Sequence, residues 1–321
     1  MELTDRIEEE QEGQVGSIGE IRIKHDPLNQ RVKGFAGETE PMIVEGDFTA
    51  RRLQGYIDQA RFIAQAEDAT RISVRTITTD MRLLQDIRGA EIEAVIPFTF
   101  DGVELFMTYL GRNDSRRLTP GMLFQEQSDT YQQIITRSPR TDRVEISSEY
   151  DLQCLSNPTN QDVNEAITLM GEAYSRNGEL IMWYEPTFDN VKTVLQDSVT
   201  YVARHEGRIV SMAAAERADI NIFGNPLIMY ELSDCATLPE HRRQGLVQAC
   251  TQGVMEDLHD AHIIYNESRV AHTPIVRAMR NMGFVGDGIL RNHVRIGGDR
   301  DLPEISDIES LAVMYIPRCG R

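Results

Sequence analysis

Lysine is almost missing from this chain. Only Lys24, Lys33 and Lys192 occur among 33 basic residues, against 51 acidic ones, for a formal net charge of −18 over 321 positions. Nucleic-acid partners require a basic face to neutralise phosphate, so an acidic chain argues against them. Arginine-for-lysine usage on an acidic surface suits concentrated salt, where self-repulsion is screened, and an arginine-rich codon supply gives the same composition. Tryptophan occurs once, at Trp183, and the four cysteines (Cys154, Cys235, Cys250, Cys319) have neither Cys-x-x-Cys spacing nor a His pattern nearby. That predicts structural thiols and no metal site. No apolar run approaches the ~20 residues that cross a bilayer, and the acidic start Met-Glu-Leu-Thr-Asp is unlike a secretory signal. The expectation is a cytoplasmic protein with no membrane contact.

The length allows two domains, which divide as residues 1–150 and 151–321. The first ~15 residues, rich in Glu and Gly, read as frayed. Extended stretches follow at Ile21–Val32 and Pro41–Val44, then a helix over Asp47–Gln65 with apolar residues at helical spacing. Arg71–Thr76 reads as a strand, and Thr79 or Asp80 opens a helix that Gly89 closes. Two further strands join at Asp101-Gly102, a hairpin dipeptide, and a bridging helix lies near Gln125–Thr136. The second half starts with a helix capped by Asn160 or Asp162. It continues through a helix at Phe188–Ser198, a hairpin across Glu206-Gly207, a central strand Leu227–Ala236, and a helix Arg243–His259. A strand Ile263–Ser268, a helix Pro274–Gly283 and two C-terminal strands complete the chain. The halves echo each other: Arg71–Leu110 and Ile263–Ile316 both run strand, helix, Gly, strand, turn, strand.

One stretch carries most of the chemistry: Glu231-Leu-Ser-Asp-Cys-Ala-Thr-Leu-Pro-Glu-His-Arg-Arg-Gln-Gly-Leu-Val. A strand, a turn through Pro239 and a helix opening leave unpaired backbone amides at the positive end of a helix dipole, an anion site. Gly245 lets the backbone approach a ligand, while His241, Arg242 and Arg243 add charge.

The order Arg242-x-x-Gly245-x-Val247 resembles the acyl-CoA pyrophosphate loop of the GNAT superfamily, usually [Gln/Arg]-x-x-Gly-x-[Gly/Ala], with Val247 as the departure. Ser233-Asp-Cys-Ala-Thr-Leu-Pro-Glu-His-Arg, Gly283-Phe, Arg291-Asn-His and Ile308-Glu-Ser-Leu-Ala-Val-Met-Tyr resemble the β-lysine N-acetyltransferase family. So do His25-Asp-Pro-Leu-Asn-Gln-Arg-Val and Ala90-Glu-Ile-Glu-Ala-Val-Ile-Pro-Phe, so the likeness spans nearly the whole chain. It implies an α/β (α+β) fold, with a mixed, mostly antiparallel GNAT sheet flanked by helices in residues 151–321. An N-terminal, degenerate GNAT-like half domain precedes it. It implies acetyl transfer from acetyl-CoA, without a metal, to a small-molecule amine, the ε-amine of β-lysine, giving an osmolyte. Alternatives are another amine acceptor, or a non-catalytic acyl-CoA-binding regulator.

An alkyl ammonium with a pKa of ~10.4 must lose a proton before it attacks a thioester. Glu231, eleven positions before Arg242 where GNAT enzymes often carry a base Glu, is the base that the resemblance implies, and Asp234 is the second candidate. Cofactor contacts are expected from Ala236, Thr237 and Leu238 along the strand, from Arg242, Arg243, Gln244, Gly245, Leu246 and Val247 in the loop, and from Asn266 and Ser268 opposite. Many GNAT enzymes place a Tyr thiolate-protonating acid where this chain has Met279, leaving Tyr265 as a substitute. For the acceptor, Trp183, Tyr184, Glu185 and Glu309 are candidates for an ammonium, and Arg269, Arg291 and His293 for a carboxylate. The C-terminal strands offer a surface for a homodimer.

Overall fold

Two mixed sheets carry the chain, built largely from hairpins whose turns are written in the sequence. The computed structural model describes residues 21–26, 31–36, 42–66, 71–113, 121–140, 143–176, 179–180, 182, 184–222, 224–295 and 308–317. The expected frayed N-terminus, Trp183 and Cys319 lie outside them. β1 (Ile21–Asp26) and β2 (Arg31–Ala36) are antiparallel, and β3 (Met42–Val44) leads into α1 (Gly46–Ala66). The helical-period stripe Leu53, Tyr56, Ile57, Ala60 and Ala64 is buried, which fixes the inward face of α1. β4 (Arg71–Thr78), the short α2 (Arg82–Gln85), β5 (Glu91–Phe100) and β6 (Val103–Asn113) follow. α2 is one turn, much shorter than the helix expected from Thr79 to Gly89. Asp101 and Gly102 take φ of 50° and 76°, the double left-handed turn that matches strand twist. α3 (Gly121–Ile135) bridges the halves.

The second half runs β7 (Tyr150–Cys154), α4 (Asn160–Ala173), the two-residue strands β8 (Ser175–Arg176) and β9 (Glu179–Leu180), then α5 (Phe188–Asp197). The cap of α4 is Thr159, not Asn160 or Asp162. The Thr159 hydroxyl accepts the Asp162 N–H, and the Asp162 carboxylate accepts the Thr159 N–H at 2.7 Å, a reciprocal capping box. β10 (Ser198–His205), β11 (Arg208–Ile222) and β12 (Asn225–Thr237) form a meander, and a short 3₁₀ turn spans Pro239–His241. α6 (Leu246–Asp257), β13 (Ile263–Arg269), α7 (Thr273–Asn281), β14 (Val285–Arg295) and β15 (Ile308–Tyr315) complete it. α6 starts three residues later than the sequence pattern suggests, because Arg243 (φ 67°) and Gly245 (φ 76°) are left-handed. No helix of the described residues is long and apolar enough to cross a membrane.

The first sheet has the order β1-β2-β4-β6-β5 and the second β14-β15-β13-β12-β11-β10-β7. The first order repeats inside the second as β11-β12-β13-β15-β14, including the parallel pair, β2 with β4 and β12 with β13. A register shift falls between Ile92 and Ala94 of β5, and another between Gly286 and Gly288 of β14. These are matching places, three to five residues after the left-handed Gly89 and Gly283.

The halves pack through these two strands. Asp287, at one bulge, accepts the Val95 N–H at 2.7 Å, and Glu93, at the other, accepts the Arg291 N–H at 3.2 Å. Buried Arg71 donates to Glu93 Oε1 at 3.0 Å and also bonds the Arg291 carbonyl. Behind them lies a common apolar layer, with Ile77, Ile96, Phe98 and Met107 against Ile220, Met229, Ile263, Leu290 and Val313. At roughly 1.5–3 kcal/mol per fully buried large side chain, against about 1 per hydrogen bond, this layer rather than the polar contacts holds the halves together. Of the two C-terminal strands, β15 is interior to its sheet, and β14, at its end, faces β5.

Candidate active site

The site begins where two parallel strands part. β12 and β13 pair only from Met229 with Ile263 to Leu232 with Asn266. Beyond that, Ser233–Thr237 stays with β11 while Glu267–Arg269 stays with β15. Asn266 Nδ2 donates to the Leu232 carbonyl at 2.7 Å, bridging the fork, and the Ser268 hydroxyl donates to Asn266 Oδ1. The gap opens into a cavity of about 1020 Å³, lined by the diverging strands, the turn after β12, the starts of α6 and α7, and Ser73, Arg75 and Tyr109 of the first half.

At one end the left-handed Arg243 and Gly245 bring Gly245, Leu246, Val247 and Gln248 to the cavity wall, with Gly245 as the N-cap of α6. The first amides of a helix have no intrahelical acceptor, so they face this space as donors. A Cβ on Gly245 would come within 2.7 Å of Val144 Cγ1, so the conformation and the packing both demand glycine. Arg242 lines the cavity but gives its guanidinium to the carbonyls of Thr237 (3.3 Å) and Ala173 (3.1 Å), bracing the loop. Arg243 lines the cavity with no hydrogen bond or ion pair to the described residues. Gln244 is exposed outside the cavity lining. Ala236 and Thr237 line the cavity, whereas the Leu238 N–H is already donated to Val210 O at 2.9 Å and its side chain is core.

Three carboxylates meet at the fork. Met212 faces Ala236 and Ala214 faces Ser233, so Asp234 and Cys235 together oppose Ala213: a bulge, with Asp234 at φ 45°. Asp234 is 1% exposed; Oδ2 accepts the Tyr184 hydroxyl at 3.1 Å, and Oδ1 has no partner among the described residues. Burial and, next, neighbouring Glu216 push its pKa up to about 7, against the pull of the Tyr184 bond. Glu216 stands directly across the strand pair from Glu231, a like-charge arrangement that costs stability. Burial and then Glu231 hold the Glu216 carboxyl above its usual range. Glu231 is fastened differently. It accepts the Tyr265 hydroxyl at 2.7 Å and lies 3.7 Å from Arg75 Nη1, which itself donates to Tyr265 at 2.6 Å. Tyr265 is thereby committed to Glu231, and Met279 is buried in the core, so neither position offers a proton to a leaving group.

The expected acceptor residues scatter. Tyr184 reaches Asp234, but Glu185 is exposed outside the cavity lining. Arg269 lines the cavity, yet it and Glu309 neutralise each other in a two-point ion pair, Nε to Oε2 at 2.7 Å. Arg291 sits in the bulge between Leu290 and Val294, with its guanidinium 4.5 Å over Phe124, away from the cavity. His293 lines the cavity 3.9 Å from Glu267. Glu216, Arg75 and Tyr109 were not singled out from the sequence.

Residues 155–275 match the acetyltransferase (GNAT) domain family. A search of curated proteins finds no match. Similar solved structures include a probable N-acyltransferase of unknown function from Enterococcus faecalis V583 (18% identity, TM-score 0.33, 42% of this chain and 32% of that one). The chain therefore spans about a third of that structure's length. A ribosomal-protein-S18-alanine N-acetyltransferase from Escherichia coli aligns at 14% identity and TM-score 0.40, over 54% of this chain and 97% of that one. A spermidine N-acetyltransferase variant from Vibrio cholerae aligns at 17% and 0.39, over 53% and 94%. The forked strands, the amide-lined loop and the stretch that matches the acetyltransferase (GNAT) domain coincide in one region of the chain.

Proposed function

We propose that the protein acetylates the ε-amine of β-lysine in the cytoplasm, yielding a neutral zwitterion that serves as an osmolyte. The observation that carries an amine acceptor is the cluster of Glu216, Glu231 and Asp234 at the fork, an arrangement that an ammonium relieves. The cavity fits acetyl-CoA, which supplies the activated acetyl thioester. The Gly245–Gln248 amides and Arg243 hold its pyrophosphate, and the unpaired side of Ser233–Thr237 holds its pantetheine arm. Asn266 and Ser268 flank that arm as fixed polar walls.

Asp234 takes the proton from the acceptor ammonium through Oδ1, the unpartnered oxygen. Its raised pKa places it near the working pH, where a general base is most effective. Glu231, tied to Arg75 and Tyr265, steadies the ammonium electrostatically instead. A thiol with a pKa of ~8.5 leaves with solvent as proton donor, consistent with a buried Met279. The first half reads as a copy of the GNAT topology that has lost its cofactor site. Its turn into α1 keeps a left-handed glycine, Gly46 at φ 71°, but precedes it with exposed Glu45, which repels phosphate.

Free thiol release from acetyl-CoA with β-lysine at molar salt tests this. The expected result is release that requires β-lysine, is lost in Asp234→Asn and is only weakened in Glu231→Gln. Calorimetric binding of acetyl-CoA with no release for any amine would overturn the reaction and leave an acyl-CoA sensor.

A further inference from the structure

We infer that the N-terminal half reads the far end of the acceptor: Arg75, with Tyr109 beside it, binds a carboxylate on the acceptor and so selects amino acids over amines lacking an anion. The inference rests on the amine-acceptor reading above and extends it to a residue outside the matched domain.

Ser73 and Arg75 are two apart on β4 and therefore share a face; Arg75 and Tyr109 are direct cross-strand partners on β4 and β6. All three line the cavity. The common apolar layer presses this face against the catalytic sheet, and the Arg75–Tyr265 bond at 2.6 Å fixes where Arg75 enters it. Only Nη1 of Arg75 is engaged among the described residues, which leaves Nε and Nη2 as donors on a side chain one quarter exposed. The Tyr109 hydroxyl is buried and has no partner among the described residues. An unsatisfied buried hydroxyl costs free energy, so a ligand acceptor for it is worth more than its own hydrogen bond.

A guanidinium with two donors to spare calls for an oxygen anion, and a planar carboxylate matches its fork. The rival cations are spent or distant. Arg269 is neutralised by Glu309, Arg242 braces the loop, Arg291 lies on Phe124, and Arg243 stands at the phosphate end. Asp234 takes the reacting ammonium, while Arg75, which meets Glu231 through Nη1 alone, turns its remaining donors to the opposite charge, so a zwitterion fits both. A polyamine would set a second ammonium against Arg75.

The test is acceptor binding by calorimetry to the full chain with CoA present, using pairs that differ only by a carboxylate. β-Lysine is compared with pentane-1,4-diamine, and 6-aminohexanoate with pentylamine. The carboxylate-bearing member of each pair is expected to bind more tightly. Arg75→Gln should weaken that member by about 10- to 100-fold, the worth of a charged hydrogen-bond pair, and its partner hardly at all. Tyr109→Phe removes only an unpartnered hydroxyl, so it should fold normally and weaken the same members severalfold. Equal affinity within the pairs for the wild type, or equal losses within the pairs in both variants, overturns the inference. Failure of the base assignment looks different: binding keeps this selectivity while turnover is missing.

Discussion

Replacing Asp234 with Asn should make the protein more stable and inactive at the same time. An aspartate ordinarily titrates near 3.8, and burial beside Glu216 moves Asp234 to about 7. Because the folded pKa lies above the unfolded one, the native state holds a proton that the unfolded chain has already lost between these values. Its stabilising contribution is complete below about pH 4 and falls as pH rises, until it is gone just above pH 7. Three pH units at about 1.36 kcal/mol each make a loss of roughly 4 kcal/mol, of which nearly 3 falls between pH 5 and pH 8. Asn cannot ionise, keeps an oxygen for the Tyr184 hydroxyl, and escapes this loss. Urea unfolding of both proteins at pH 5 and pH 8 gives the stability gap between them, in which groups not coupled to Asp234 cancel. The gap should shift in favour of Asp234→Asn by nearly 3 kcal/mol on going to pH 8, while kcat/KM drops by about 10²–10⁴, the usual worth of a general base. A gap that is the same at both pH values would refute the raised pKa, and undiminished turnover would refute the role.

Three further outcomes follow from the same geometry. Tyr184→Phe removes the one bond that favours the charged form of Asp234, so the lower apparent pKa of kcat/KM should rise by about one pH unit, measurable in a pH–rate profile. Gly245→Ala forces a Cβ into a left-handed backbone and toward Val144; steady-state kinetics should show KM for acetyl-CoA up about tenfold, for roughly 1–2 kcal/mol of strain, with kcat little changed. Gly288→Ala would put a Cβ 2.1 Å from the Glu93 carbonyl oxygen. Separation of the halves should cost about 1–3 kcal/mol in urea unfolding and lower kcat/KM as Arg75 withdraws.

What the sequence disclosed was what is local. The turn at Arg242–Val247 could be read because it needs only a left-handed glycine and a helix start. The hairpin at Asp101-Gly102 and the stripe on α1 were legible for the same reason: turn residues and periodicity act within a few positions. The repeat between Arg71–Leu110 and Ile263–Ile316 was visible as an order of elements, and the structure extends it back to β1 and β2. What stayed hidden was pairing across long separations. Nothing near Arg75 says that it meets Glu231 and Tyr265, and nothing near Arg269 says that Glu309 cancels it, 40 positions on. Asp234 was one of two carboxylates on a strand until the bulge opposite Ala213 separated their environments. Arg291 looked like a substrate cation because a β-bulge that turns a side chain away leaves no mark in spacing.

The twin bulges on β5 and β14 also settle a hazard that open sheets carry. Each of these strands ends its sheet, and a terminal strand's unpaired amides are a template for recruiting another chain. Here each such strand is blocked by the other, with a carboxylate on a backbone amide instead of a continuing ladder: Asp287 on Val95 and Glu93 on Arg291. Of the four strands that end the two sheets, these two are turned inward and face each other within one molecule.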